Sequence, residues 1–273
     1  MFDRRQTLRL IALGAPATLI ARPAAARPRT IEACVVADAA SGRIIARTGA
    51  AATRFAPCST FKLPLALMGF DAGLLTDAHH PAWPYDAARF PDARDTDRTT
   101  TDPTRWLAES VVWYSQALTQ RLGMARFRRY VDAFGYGNRD LRGTPGRGDG
   151  LTRAWLSSSL QISPDEQLGF VRAMLAHRLV GEKAHAAVEA ITPRFDAPGG
   201  WSVHGKTGSG WLQDARRTPR RDMPLGWFVG WAEKDGRRLA FARMIAGAAI
   251  GSGYGGPVAR DRLLAEIGTI ARR

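Results

Sequence analysis

Residues Phe55-Ala-Pro-Cys-Ser-Thr-Phe-Lys-Leu-Pro-Leu-Ala-Leu-Met-Gly-Phe70 form an apolar segment with a single charged side chain, Lys62. Burial of an ammonium group without a partner costs free energy and lowers its pKa. Ser59 lies three residues before Lys62, so in a helix both side chains share one face. A hydroxyl beside a desolvated amine is an activated nucleophile. This segment alone leaves an alternative open, in which Ser59 caps a helix and Lys62 extends to solvent.

The first 26 residues are typical of an export signal. Arg4, Arg5 and Arg9 form a basic region, residues 10–20 are mostly apolar, and residues 24–26 are alanines that suit a cleavage site. This apolar run is too short and interrupted to span a membrane. The pattern predicts an exported, periplasmic protein. The export route stays open, because Arg4 and Arg5 also fit a twin-arginine signal.

The composition is that of an ordinary globular protein, with 45% hydrophobic and 23% charged residues in 273. Removal of residues 1–26 takes four arginines and one aspartate from a chain of net charge +14, which leaves +11. The arginines are scattered and no nucleic-acid-binding motif accompanies them, so we expect no nucleic-acid partner. The charge is better explained by solubility or by attraction to the cell envelope.

Two cysteines, Cys34 and Cys58, remain in the mature chain. An exported protein could join them in a disulfide, but two buried free thiols fit the sequence equally well. The five histidines show no spacing typical of metal ligands, so no metal site is expected.

Strands are predicted at both ends of the chain and helices in the middle. Predicted strands cover residues 31–37, 44–47, 201–207, 225–233 and 237–246, and predicted helices follow Ser59 and cover residues 106–123, 124–134, 164–179 and 260–270. Residues 77–105 are expected to form a long surface excursion. Ser163-Pro-Asp-Glu166 has the residues of a capping box.

This order predicts an α+β fold, in which an antiparallel sheet is flanked by N- and C-terminal helices and carries an inserted all-helical domain. The mature region, residues 27–273, would comprise a sheet part at about 27–62 and 188–273 and a helical part at about 63–187. Gly251-Ser-Gly-Tyr-Gly-Gly256 fits a dinucleotide-binding pattern. Only seventeen residues follow it, so it is interpreted as a glycine-rich loop.

Three further polar clusters stand at element boundaries: Ser110-Val-Val112, Tyr136-Gly-Asn138 and Lys206-Thr-Gly208. Each alone could be a cap, a turn or a solvated edge residue. Together and in this order after Ser59-Thr-Phe-Lys62, they resemble the serine β-lactamases and penicillin-binding proteins. Tyr136-Gly-Asn138, residues 155–167 and Trp227-Phe-Val-Gly-Trp231 resemble class D, the oxacillinase type, most closely.

The resemblance implies hydrolysis of the β-lactam amide of penicillin-type antibiotics, and hence antibiotic resistance. Ser59 would form the acyl-enzyme, and Lys62 would react with carbon dioxide to become an N-carboxylated general base. Trp155 would donate a hydrogen bond to that carboxyl group, and Ser110 would pass a proton to the leaving nitrogen. No cofactor other than carbon dioxide is implied.

The resemblance also implies a substrate-binding set. Its members are Val112, Lys206, Thr207, Gly208, Ser209 and Arg260. Arg262 stays open as an alternative to Arg260 for binding the substrate carboxylate. The backbone N–H groups of Ser59 and Ser209 would form the oxyanion hole.

Three rival functions share part of the pattern. A penicillin-binding peptidase or an antibiotic sensor domain would also be acylated at Ser59, but neither needs efficient deacylation. A basic binding protein without catalysis would leave the four motifs unexplained. The substrate spectrum and the oligomeric state are not predicted.

Overall fold

The computed structural model describes residues 30–251 and 253–273, so the predicted export signal lies outside the described residues. Its six strands form one antiparallel sheet in the order β2-β1-β6-β5-β4-β3. The strands are β1 (Ile31–Asp38), β2 (Ile44–Gly49), β3 (Arg194–Ala197), β4 (Trp201–Gln213), β5 (Pro219–Lys234) and β6 (Arg237–Ala246). The predicted α+β class is confirmed.

Most of the helices lie between the first two strands and the last four. They are α1 (Lys62–Asp71), α2 (Pro103–Ala108), α3 (Val112–Leu122), α4 (Met124–Ala133), α5 (Gly150–Arg153), α6 (Pro164–Leu175) and α7 (Glu182–Ile191), followed after the sheet by α8 (Gly255–Ile270). Among the described helices, none combines the length and apolarity that a membrane span requires.

The sheet separates two hydrophobic cores. Side chains on one face, such as Val35 and Trp227, pack with α1, α3 and α6. Side chains on the other face, such as Val36 and Phe228, pack against α8. Alternate residues of a strand point to opposite faces, which explains why neighbours in one strand belong to different cores.

The predicted capping box at the start of α6 is present. The Ser163 hydroxyl accepts the Glu166 N–H at 3.2 Å, and the Glu166 carboxylate accepts the Ser163 N–H at 2.8 Å. Pro164 occupies the first helical position, where its missing N–H costs nothing.

The structure differs from the predicted elements in several places. The helix predicted at 106–123 is divided into α2 and α3 by a turn at Ser110, whose φ is 62°. The β4–β5 hairpin is longer than predicted at both strands, and β3 and α7 were not predicted. Helix α8 begins within the glycine-rich segment, at Gly255.

Candidate active site

Ser59 and Lys62 meet at the start of α1. Ser59 lies in a 3-10 turn over Cys58–Phe61, and Lys62 is the first residue of α1. The Lys62 Nζ donates a hydrogen bond to the Ser59 Oγ at 3.2 Å. Ser59 therefore does not cap the helix, and Lys62 does not extend to solvent but is 0% exposed.

The surroundings of Lys62 disfavour its ammonium form. Burial lowers its pKa well below the ordinary value, and the positive charges of Lys206 and Arg94 lower it further. None of the ion pairs formed by the described residues includes Lys62. These surroundings therefore favour the neutral amine, which has the lone pair that a nucleophile or base needs.

The 3-10 turn that carries Ser59 is held from both sides. The Cys58 N–H donates to the carbonyl of Trp155 at 3.0 Å, and the φ of Cys58 is 51°. On β4, a Cβ atom at Gly208 would lie 2.9 Å from the Pro57 carbonyl oxygen, so the glycine permits the strand to approach the turn closely. The backbones at Ser59 and beside Ser209 are thus held next to each other.

Trp155 contributes a buried hydrogen-bond donor. Its ring is 0% exposed and stacks on Phe61, with ring centroids 5.4 Å apart. Its Nε1 has no hydrogen-bond partner in the structure. An unsatisfied buried donor costs about 1–3 kcal/mol. This N–H is therefore suited to an acceptor that the unmodified side chains do not supply.

Ser110 lies in the turn between α2 and α3, half-buried, and Val112 begins α3. The left-handed backbone at Ser110 ends α2 and directs the next helix away. Asn138 supports the site indirectly. Its side chain donates to the Ser159 carbonyl at 2.9 Å and accepts the Gln161 N–H at 2.9 Å, so it supports the segment that carries Trp155.

Lys206, Thr207, Gly208 and Ser209 follow one another on β4. The Lys206 Nζ is buried and donates to the Thr207 carbonyl at 3.1 Å. Burial, together with the charge of Arg94, lowers the pKa of Lys206 to about 7. The Ser209 hydroxyl accepts the Gly256 N–H at 2.9 Å, which fixes the start of α8 against this strand.

The two arginines of α8 have other partners. Arg260 pairs with Asp261 at 2.8 Å, and its guanidinium lies 5.2 Å from the ring centroid of Phe195 on β3. Arg262 pairs with Glu32 on β1. The structure therefore does not bring either guanidinium to the lysine cluster of Lys62 and Lys206.

Comparison with known proteins identifies this arrangement. The family model for the penicillin binding protein transpeptidase domain matches residues 32–267. β-Lactamase OXA-9 of Klebsiella pneumoniae is 46% identical over 239 residues, which are 87% of each protein. The chain belongs to the class D β-lactamases. β-Lactamase OXA-1 of Escherichia coli is 35% identical over 216 residues, 77% of this chain and 74% of that protein.

A solved structure supports the same assignment for this class D β-lactamase. The crystal structure of the OXA-427 class D β-lactamase matches with a TM-score of 0.81 at 42% identity, and covers 88% of this chain and 98% of that one. The enzyme hydrolyses β-lactam antibiotics and belongs to a resistance mechanism against them.

Three residues that support the site had no individual role predicted from the sequence. Tyr136 packs on Phe61 and donates to Gln167 at 3.3 Å, and Gln167 donates to the Thr60 hydroxyl at 3.0 Å. Arg94 acts electrostatically on both buried lysines. Tyr136 and Gln167 stand in segments that resemble class D, whereas Arg94 belongs to no spacing pattern.

The cysteines of the enzyme are both free and buried. Cys34 packs in the core beneath α8, and Cys58 packs in the core on the other face of the sheet. The sheet lies between them, so of the two possibilities the structure has free thiols. Burial raises the pKa of Cys58 to about 11, which keeps the thiol protonated beside Ser59.

The residues described by the structure contain no group of three or more His, Cys, Asp or Glu side chains that could hold a metal ion.

Proposed function

We propose that the enzyme opens the β-lactam through an acyl-enzyme on Ser59, with an N-carboxylated Lys62 as general base. One observation carries this proposal. Lys62 is fully buried, contacts Ser59, and forms no ion pair among the described residues, while Trp155, which stacks on the preceding residue Phe61, has an N–H without an acceptor.

The residues around Lys62 fit a carboxyl group on its Nζ. The reaction with carbon dioxide requires a neutral amine, which burial favours. The product is an anion, and the same positive charges that disfavour the ammonium, those of Lys206 and Arg94, favour it. The unpartnered Trp155 N–H offers it a buried donor. Bonded to Nζ, the carboxyl group would supply an anionic oxygen that accepts a proton.

The chain's own residues then account for acylation. Ser59 gives up its proton toward the Lys62 side chain, and its Oγ forms a bond to the carbonyl carbon of the lactam. The backbone N–H groups of Ser59 and Ser209 stabilise the oxyanion, each contributing about 3 kcal/mol of barrier lowering. As the carbon–nitrogen bond breaks, Ser110 passes a proton to the leaving nitrogen. Water later releases the acyl group from Ser59.

The β4 residues would hold the substrate. Thr207 offers a hydroxyl and Lys206 a buried amine to the substrate carboxylate. Gly208 and Ser209 continue this strand next to the turn of Ser59, and Val112, the first residue of α3, would line the site beside Ser110. A carboxylate is a suitable ligand for this strand because it meets both a positive charge and a neutral donor.

We also propose that the enzyme acts in the periplasm and needs no cofactor other than carbon dioxide. The signal-like residues 1–26 support export, and the antibiotics reach their targets outside the cytoplasmic membrane.

Steady-state hydrolysis of a penicillin, with dissolved carbon dioxide removed and then restored as bicarbonate, tests the mechanism. Turnover should fall on removal and recover on addition, whereas Lys62→Ala should fail to release the acyl group and should not respond. Turnover that ignores carbon dioxide would contradict the carboxylated lysine. A burst of one equivalent without turnover, at saturating bicarbonate, would instead favour a sensor domain.

A further inference from the structure

Arg94 is held at the edge of the active site by a rigid set of contacts. Its Nε and Nη2 donate to the two carboxylate oxygens of Asp97 at 2.9 and 2.8 Å, and Nη2 also donates to the Glu109 carbonyl at 3.0 Å. Asp97 is buried, and its own carbonyl accepts the Trp113 Nε1–H at 2.7 Å. The arginine is therefore fixed to the residue immediately before Ser110.

This clamp leaves part of the guanidinium available. The hydrogen bonds to Asp97 and Glu109 use Nε and Nη2, so Nη1 keeps its two N–H groups for other acceptors, and the exposed Tyr254 phenol is one such neighbour. The Arg94 side chain is 46% exposed, whereas its partner Asp97 is 3% exposed. Asp97 therefore orients the guanidinium without covering it.

The charge of Arg94 is directed at the substrate site. It lowers the pKa of Lys206, second only to burial, and it also lowers the pKa of Lys62. The Asp97 bond raises the pKa of Arg94, and the Tyr254 phenol, just before α8, adds to this. Arg94 thus contacts the turn before Ser110 through the Glu109 carbonyl, and its charge reaches Lys206.

The other candidate arginines are occupied elsewhere. Arg260 is engaged by Asp261 and Phe195, and Arg262 by Glu32. Lys206 alone would be a weak anchor for an anion, because its pKa of about 7 leaves it only partly charged at neutral pH. Arginine stays protonated at any physiological pH. A substrate carboxylate at Lys206 would therefore gain a permanent charge from Arg94.

We propose that Arg94 binds the carboxylate of the β-lactam substrate together with Lys206 and Thr207. This rests on the proposed function, which places that carboxylate on β4. The permanently charged group is then the Arg94 guanidinium, in the segment between α1 and α2, and not an arginine of α8.

The test compares Arg94→Ala with two matched controls. Arg98→Ala removes an arginine of the same segment with 47% side-chain exposure, and Arg260→Ala removes the candidate of α8. Loss of a charged hydrogen bond predicts a fall in kcat/KM of roughly 10- to 100-fold for a penicillin in Arg94→Ala, mainly through KM. Both controls should stay within about twofold of the wild type, since surface substitutions have small effects.

A penicillin methyl ester separates carboxylate binding from a role in shaping the Ser110 turn. The wild type should prefer the free acid, and Arg94→Ala should lose most of that preference. Arg94→Lys keeps the positive charge but lacks the paired N–H donors of a guanidinium, so it should recover part of the preference for the free acid. Equal losses on acid and ester, or loss of the preference in Arg260→Ala instead, would overturn the proposal.

Two further readouts keep the test interpretable. Thermal melting of each variant identifies one that fails to fold, and Arg94→Gln then replaces Arg94→Ala. Bicarbonate dependence is measured in the wild type and in each variant. If the activity of the wild type did not depend on bicarbonate, the proposed mechanism of Lys62 would be contradicted. If Arg94→Ala kept the bicarbonate dependence and also an unchanged preference for the free acid, only the role of Arg94 would be contradicted.

Discussion

At the scale of single residues, the site concentrates polar groups that an ordinary core excludes. Lys62 and Lys206 are buried amines, and the Trp155 N–H is a buried donor without an acceptor. Each is unfavourable in isolation, because burial penalises the charged amines and the unmade hydrogen bond. All three become useful if Lys62 carries a carboxyl group and Lys206 meets an anionic substrate, which is the function proposed for them.

Replacing Trp155 by phenylalanine should separate the energetic cost of its unpartnered N–H from the benefit of that N–H to a carboxylated Lys62. The ring and its packing on Phe61 are retained, and the unpartnered N–H is removed, so the variant should be at least as stable as the wild type without carbon dioxide. It should need roughly tenfold more bicarbonate for half-maximal activity, the loss expected for one hydrogen bond to an anion. Thermal melting and bicarbonate titration measure the two effects. An unchanged bicarbonate requirement would remove Trp155 from the mechanism.

The stability of the enzyme should depend on Lys206 in a known direction. Burial lowers the pKa of Lys206 to about 7 in the folded state, so between that value and its ordinary value of 10.5 the unfolded chain binds more protons. The stability contribution therefore rises with pH across this window, by at most about 1.4 kcal/mol per pH unit. The free energy gained in Lys206→Met should be greatest at pH 7 and should shrink by pH 9.

Denaturant unfolding at pH 7, 8 and 9 measures this dependence. Lys183→Met, on the exposed side of α7, is the control and should leave the pH dependence unchanged. A constant stability difference between Lys206→Met and the wild type across this range would show that Lys206 is not desolvated.

At the scale of elements, most of the architecture could be predicted because it follows from local pattern. The alternation in β1 and the capping box of α6 both depend on neighbouring residues. The elements that differ from the prediction depend on tertiary contacts. The turn at Ser110 is stabilised by the Arg94–Glu109 contact, and the start of α8 at Gly255 is fixed by packing against Gly226, neither of which is visible in local sequence.

The candidate site divides in the same way. Ser59, Lys62 and Lys206 could be found because they stand in ordered motifs. The structure places Lys62 in contact with Ser59, and burial and the charge of Lys206 lower the pKa of Lys62. The arginine that binds the substrate carboxylate could not be chosen from spacing. Helical position places Arg260 on α8, but its partners Asp261 and Phe195 decide where its charge acts.

Two glycines should respond oppositely to alanine. Gly169 lies within α6, and a Cβ there would meet nothing within 4 Å, so Gly169→Ala should stabilise the enzyme by about 0.5–1 kcal/mol through helix propensity. At Gly226 a Cβ would lie 2.1 Å from the Gly255 carbonyl oxygen, so α8 must shift and stability should fall by about 1–3 kcal/mol. Chemical denaturation distinguishes the two. Equal effects would contradict the close packing of α8 on β5.

At the scale of the whole molecule, the two cores fix the two sides of the site relative to each other. The 3-10 turn of Ser59 belongs to the core on the helical side, whereas α8 covers the opposite face, and β4 contacts both. Without residues 1–26 the chain also carries a net charge of +11, which gives the molecule a positive field. Penicillins carry a carboxylate, so this field favours their approach.

Salt should therefore weaken the capture of anionic substrates. The Debye length falls from about 10 Å at 0.1 M to about 3 Å at 1 M ionic strength, which screens the field beyond the site itself. We expect kcat/KM for a penicillin to decrease between 0.05 and 0.5 M potassium chloride, in roughly the several-fold range of electrostatically steered encounters. The penicillin methyl ester is the control and should change little. Equal salt effects on both substrates would exclude steering.

The central claim is that Lys62 carries a carboxyl group, and carbon-13 NMR of the enzyme incubated with ¹³C-bicarbonate tests it most directly. The account predicts one new protein-bound carbonyl resonance in the wild type, absent in Lys62→Ala and weaker in Trp155→Phe at the same bicarbonate concentration. It should diminish as the pH falls, because protonation of the amine removes the lone pair that binds carbon dioxide. Full hydrolytic activity in a sample that shows no such resonance would contradict the account.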